Sequence, residues 1–331
     1  MRRRDFVRLL GGAVAASSNL WPGAVQAQQP RRIAVMMAIY AQTDPEGQAS
    51  SVAFLDALKK LGWTDGGNLR VEIHWDAGDA ARVKVSADDF VRSAPDVIVA
   101  AANPAVAELN RITKKIPIVF TRVADPVGSG FVAGLARPGG NITGFQASDA
   151  ALGSKWLGVL KEAAPSLSRV AVVYGSDSGG NIALLRAAET AASVSGIELT
   201  ALDLRHSEGW EQKVADFAGQ PNGGLVVVAH PFTTANRKAI IALAERFRLP
   251  AIYPYRFFAN DGGLIAYGPD QVDQWRGAAS YVDRILRGEE PGDLPVQAPT
   301  KYELVLNLKT AKGMSFEVPQ TLLARADEVI E

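Results

Sequence analysis

The chain has 331 residues, 47% of them hydrophobic and 21% charged, an ordinary globular composition with length for two domains of typical size. Thirty-five basic residues balance 35 acidic ones, so no charge surplus points to a nucleic-acid partner. Cysteine is absent, which excludes disulfides, thiolate metal sites, a cysteine nucleophile and a lipidated cysteine anchor.

The first 27 residues, MRRRDFVRLLGGAVAASSNLWPGAVQA, read as an export signal. Arg2, Arg3, Arg4 and Arg8 form a basic head, a short apolar middle follows, and Val25-Gln26-Ala27 supplies small residues at −3 and −1 of a cleavage site. Arg3-Arg4-Asp5-Phe6-Val7 resembles the twin-arginine motif for export of folded proteins. Gly11, Gly12, Ser17, Ser18 and Asn19 make the middle too short and polar to span a membrane. Cleavage turns the balance into 31 basic against 34 acidic residues, and the expected mature product is a soluble periplasmic protein.

RRIAVMMAIY (31–40) is a buried strand by its β-branched and apolar content. Val52, Leu55, Leu58 and Leu61 predict a helix over 48–61, with Gly62 as its stop. LRVEIHW (69–75) alternates as a strand, and a helix at 81–93, the strand DVIVAAA (96–102), a helix from about Pro104 to Lys114 and the strand IPIVFTR (116–122) follow. ARPGGNITG then gathers turn formers, so it reads as a hinge, with its formal sequon NIT as part of the bend.

SRVAVVYGS (168–176) restarts the programme: a helix over 181–194, the strand ELTALDL (198–204), a helix near 208–219, the strand GLVVVAH (224–230), a helix over 234–247 and the strand LPAIYPY (249–255). Both halves read β-α-β-α-β-α-β, and in both the third strand ends in a polar residue and proline, Asn103-Pro104 and His230-Pro231. The expected fold is α/β: two doubly wound parallel-sheet lobes joined by a hinge.

Parallel sheets bind ligands beyond the carboxyl ends of their strands, so the natural site is the cleft between the lobes. Asn103, Pro104 and Ala105 in one half and Ser176, Asp177 and Asn181 in the other lie at such ends, with Asp125 and His230 nearby. Proline suits a first helical turn, and the free backbone N–H groups after it suit a carboxylate without requiring an arginine. Asp177 suits a cationic amine. Tyr253 and Tyr255 of YPYRFF, with Tyr40 and Phe232, form a candidate pocket for a ring or apolar group.

Other motifs carry little. SDSGG (176–180) resembles a serine-protease segment but follows a strand of an α/β pattern, and only His74, His206 and His230 could serve it. GSGFVAG (128–134) misses the dinucleotide fingerprint by one residue. No His, Asp or Glu cluster has metal-ligand spacing, so neither cofactor nor metal is expected, and no catalytic constellation stands out.

DPVGSGFVAGLARPGGNITGF (125–145), GGLIAYGPD (262–270) and the stretch 294–331 closely resemble the ABC-transporter substrate-binding family that includes tryptophan- and tyrosine-type binding proteins. The resemblance implies a type I periplasmic-binding fold with three hinge crossings and capture of a small solute for an inner-membrane ABC permease, by a monomer. It also implies one lobe from 28–145 with about 271–292, and a second from 146–270 with about 293–331. Asn103 stands where the family pattern has threonine, and His230 where an acidic residue is common. An aromatic or branched, amino-acid-like carboxylate is the first expectation. A sensor presenting its closed form to a membrane receptor is the alternative; an enzyme would have only His230 and Asp125 as acid–base candidates.

Replacing Arg3 and Arg4 by lysine is expected to block export, and N-terminal sequencing of the periplasmic product should begin at Gln28. Normal export of the double-lysine variant would reject the twin-arginine route.

Overall fold

The computed structural model describes residues 29–176, 179–203 and 209–331; the expected export signal, Asp177 and His206 lie outside the described residues. The first half runs β1 (Arg31–Met37), α1 (Pro45–Lys60), β2 (Leu69–Trp75), α2 (Ala80–Ser93), β3 (Val97–Ala101), α3 (Ala102–Ile112), β4 (Ile118–Val123) and β5 (Ile142–Gln146). Helix α4 (Leu152–Ala163) leads into β6 (Arg169–Tyr174), α5 (Gly179–Ser195), β7 (Glu198–Asp203), α6 (Trp210–Ala218) and β8 (Gly223–Val227). Then come α7 (Pro231–Ala235), α8 (Arg237–Arg246), β9 (Ala251–Tyr253), α9 (Arg256–Asn260), β10 (Ile265–Pro269) and α10 (Gln271–Leu286). The chain ends in β11 (Tyr302–Asn307), α11 (Leu308–Gly313), α12 (Gln320–Leu323) and β12 (Glu328–Ile330).

The first sheet has the order β2-β1-β3-β4-β5, all parallel. The second contains β7-β6-β8-β9-β10 in the equivalent order and adds β11 and β12, with β11 antiparallel to β10. The repeat read from the sequence is therefore a repeat of strand order. Each sheet has an apolar core on both faces, which is why the central strands are nearly continuous apolar runs. Val35, Met36 and Met37 of β1 are all fully buried.

Three connections pass between the lobes. The first follows β5; the second is at Asp270, after which α10 packs on α1, β3, β4 and β5 of the first lobe. Leu294 and Val296 still pack in the first lobe's core, so the third crossing comes after them, later than the 292–293 boundary expected from sequence. Lys301 Nζ and Asp270 Oδ2, 2.7 Å apart, tie the second and third crossings together.

Several local readings change. NIT runs from a bend at Asn141 into strand β5: Asn141 Nδ2 donates to Ile116 O, and Thr143 Oγ1 donates to Leu294 O, so the bend expected there takes in its first residue alone. The helix expected over 234–247 is two, α7 and α8, because Asn236 both ends one and precedes the other. YPYRFF leaves its strand at Tyr253, since Pro254 cannot donate to a ladder and α9 begins at Arg256.

Gly144 lies in β5 with φ +149°, and a Cβ there would fall 2.1 Å from Phe120 O in β4. Gly144→Ala is expected to cost more than about 3 kcal/mol, read as a large drop in thermal midpoint, whereas Gly140→Ala, with open space around it, should change little.

Candidate functional site

The site begins with an irregularity in β4. Its pairing with β5 runs through Thr121↔Phe145 and resumes at Val123↔Gln146, leaving Arg122 as an extra residue with φ +57°. A bulge of this kind bends the strand and re-aims one side chain. The Arg122 N–H donates to Gln274 Oε1 of α10 at 3.2 Å, so the bulged amide keeps a partner. The Arg122 side chain turns into the cleft and is only 6% exposed.

Arg122 is held from both lobes. Its Nη1 donates to the hydroxyl of Tyr40, from the segment after β1. Its guanidinium carbon lies 4.6 Å from the ring centroid of Tyr255, which comes from the second lobe. Burial pushes the Tyr40 phenol well above its usual pKa, so the hydroxyl stays neutral and can accept from the guanidinium. Among the described residues no carboxylate lies within 4.0 Å of Arg122. A guanidinium stays charged across the physiological range, so the cleft contains a fixed cation whose forked donors fit a carboxylate.

The cavity that Arg122 lines has a volume of about 380 Å³. Ile39, Asn103, Pro104, Ser129 and Phe131 of the first lobe and Gly179, Asn181, His230, Pro231, Thr234 and Tyr255 of the second form its wall, together with five alanines. Most of that wall is apolar, so the cavity suits a body that is apolar apart from one anionic end.

Of the residues expected from sequence, Asn103, Pro104, Asn181, His230 and Tyr255 reach this wall. Asn103 is a brace there: its Oδ1 accepts from Ala124 N at 2.9 Å, and its Nδ2 donates to Ala124 O at 2.8 Å. Pro104 is the third residue of α3, still within the first turn. The His230 side chain caps α7, with Nδ1 accepting from Phe232 N at 3.2 Å, which leaves the ring proton on Nε2.

The others sit elsewhere. Tyr40 stands behind Arg122, and Ala105 is fully buried in the first lobe's core. Asp125 accepts from Gly128 N and faces a neighbouring crevice with Gln146 and Asp149. The Ser176 hydroxyl is spent on Asp203 Oδ2 at 2.7 Å. Phe232 turns to Trp210, ring centroids 6.0 Å apart. Tyr253 is 1% exposed and stacks on Phe258 in the core, because the chain bends at Pro254 and only Tyr255 reaches the cleft. Asp177 lies outside the described residues.

Sequence reading missed Arg122, Ser129, Phe131 and Thr234. Arg122 had a signal: it is the lone charge in the apolar run IPIVFTRV, where a buried charge calls for a partner or a task. The expectation that backbone amides hold an anion without an arginine took no account of this arginine on the cavity wall.

Comparison with known proteins places this geometry. The sequence profile described as "ABC transporter substrate binding protein" matches residues 33–330. A curated "Tyrosine-binding protein" of Clostridioides difficile (strain R20291) is 25% identical over 279 residues, covering 82% of this chain and 78% of the relative. A solved "conserved domain protein" of Vibrio cholerae is 28% identical, with a TM-score of 0.83 over 91% of this chain and 100% of that one. An "ABC domain in complex with L-Trp" from Streptococcus pneumonia, 20% identical with the same TM-score and coverage, shares the fold. The two lobes form a type I periplasmic-binding fold.

Near Arg122, burial raises the pKa of Glu46 above the usual carboxylate value, with Arg122 opposing the shift. A raised carboxyl pKa contributes stability below its ordinary value, about 4.3, that is lost as pH rises through the folded-state value. Glu46→Gln is therefore expected to raise the thermal midpoint at neutral pH, with the gain shrinking toward about pH 4. A loss of stability at neutral pH would show that attraction to Arg122 outweighs burial.

Proposed function

The chain belongs to the ABC transporter substrate-binding protein family, and from that premise we propose that it is the periplasmic solute receptor of an importer. Its ligand is a small carboxylate with an apolar or aromatic body, amino-acid-like in size, held between the two lobes. The observation that carries this reading is Arg122: a buried cation on the cavity wall, held by two tyrosines and with no carboxylate within 4.0 Å among the described residues. A ligand carboxylate there would gain charge-assisted, paired hydrogen bonds in a site screened from water.

The family is one of solute-binding proteins, not of enzymes. A receptor needs reversible binding and a change of shape that a permease can recognise, and contacts from both lobes supply both. Ligand bound only when the lobes meet shifts the population toward the closed form. The expected export signal, with no helix among the described residues long and apolar enough to cross a membrane, supports a periplasmic location beside an inner-membrane permease. Relatives named for tyrosine and L-Trp make aromatic amino acids the first ligands to try, followed by branched amino acids and the matching deaminated acids.

A thermal-shift screen over that set should find ligands, since binding raises apparent stability by mass action. For the best of them, Arg122→Gln is expected to weaken binding by about 10- to 150-fold in calorimetry, the range of a lost hydrogen bond to a charged group. Arg122→Lys should recover only part of that loss, because an ammonium cannot reproduce the planar fork. Unchanged affinity in Arg122→Gln would reject the carboxylate assignment, and no ligand in the whole set would reject the proposed class.

A further inference from the structure

Arg237, the first residue of α8 in the second lobe, reaches across the mouth of the cleft to Asp44, the N-cap of α1 in the first lobe. Arg237 Nη2 and Asp44 Oδ2 are 3.6 Å apart. Neither residue lines the ligand cavity. We propose that this pair is a lock on the closed form, setting ligand affinity from outside the binding site.

Both partners are held in place by their own lobe. Arg237 Nε donates to Asp261 Oδ2 at 2.5 Å, Nη1 donates to Thr234 O at 3.1 Å, and the guanidinium carbon lies 5.4 Å from the centroid of the Phe257 ring. Asp44 uses Oδ1 to accept from Glu46 N and Gly47 N, at 2.9 and 3.1 Å, which leaves Oδ2 for the arginine. The usual weakness of a surface ion pair is the entropy of fixing two long side chains. Here the fixing is done before the lobes meet. The side chains are 20% and 18% exposed, so solvent screening is reduced as well.

The lock also touches the binding site indirectly. Thr234, whose carbonyl receives Arg237, is itself a wall residue of the cavity. When the lobes separate, the Asp44–Arg237 attraction is lost, while Arg237 keeps Asp261 and Asp44 keeps its cap. The pair therefore favours the closed form without stabilising either lobe alone.

This inference rests on the solute-receptor reading, and the test separates the two. The chain has no cysteine, so Val52→Cys in α1 and Val194→Cys in α5, at positions 54% and 86% exposed, can carry a dye pair across the cleft. Single-molecule energy transfer on the full chain would then read the closed-to-open ratio, alone and with millimolar L-tyrosine or L-tryptophan. Asp44→Asn, which keeps the cap, and Arg237→Gln should each lower the ratio about 3- to 10-fold, and the double variant should fall no further than the lower single. Raising NaCl from about 0.02 to 0.5 M should lower the wild-type ratio and leave the variants' ratios nearly constant. Ratios insensitive to both substitutions, or losses that add in the double variant, would overturn the lock. If neither amino acid moves the wild-type ratio but the substitutions still lower it, the lock stands and the ligand assignment falls. A chain with no closed population in any condition would overturn both.

Discussion

A buried arginine must be given partners, and much of the cleft is arranged around that requirement. Arg122 leaves the β4 ladder at a bulge, in a backbone region that costs a non-glycine residue of order 1–3 kcal/mol. Three neighbours hold it there. Gln274 takes the displaced N–H, Tyr40 accepts from the guanidinium, and Asn103 clamps Ala124 immediately downstream through both ends of its amide. Gln274 belongs to the helix that returns from the second lobe, so the local strain is held by a connection between the lobes as well as by β4 itself. Strain maintained so deliberately at a cavity wall is the pattern expected where a side chain has to be aimed.

The repeated strand order places the rest of the site. In both lobes the order doubles back beside the first strand, so the carboxyl ends of β1, β3, β4 and of β6, β8, β9 face one another across the cleft. Arg122 follows from that position on β4, and Tyr255 follows from the equivalent position after β9. The lobes are not interchangeable, however: the first contributes the cation and the second the ring it rests on.

Those features were legible to different degrees. The buried parallel strands announce themselves as apolar runs, and β2 was read at its full extent, 69–75, because alternation marks a half-exposed edge strand. Strand β5 was hidden: ITGFQ is short, follows two glycines and contains another, and its pairing with β4 depends on a glycine that lets Phe120 approach. The cleft residues divided in the same way. Chain ends of strands are visible from periodicity, which located Asn103, Asn181, His230 and Tyr255. Side-chain direction is set by bulges, breaks and caps that alter a strand by a single residue, and these separated Tyr255 from Tyr253 and turned Arg122 into the cleft. The resemblance of three segments to a known family reached the fold and the family, whereas the wall of the cavity needed the geometry.

The approach of the lobes is limited by glycine. A Cβ on Gly180, at the start of α5, would stand 2.6 Å from the Cβ of Ala124, and one on Gly179 would stand 3.0 Å from Asp125 Oδ2. The N-terminus of α5 therefore sits against the loop after Arg122 with no side chain between them. This puts the N-terminus of a helix on the same side of the cavity as the arginine, where its partial positive charge adds to the field of the guanidinium. The same contact limits the energetics of closure. Stacking of Arg122 on Tyr255 and the fit of Gly180 on Ala124 exist only when the lobes meet, so the closed form has some attraction of its own before any ligand arrives. That attraction has to stay small. A receptor already closed when empty would close no further on binding and would present its permease with the same surface in both states. The apolar wall, Arg122 and the peripheral ion pair are consistent with that limit: each favours closure modestly, which leaves the proposed carboxylate at Arg122 to supply the difference.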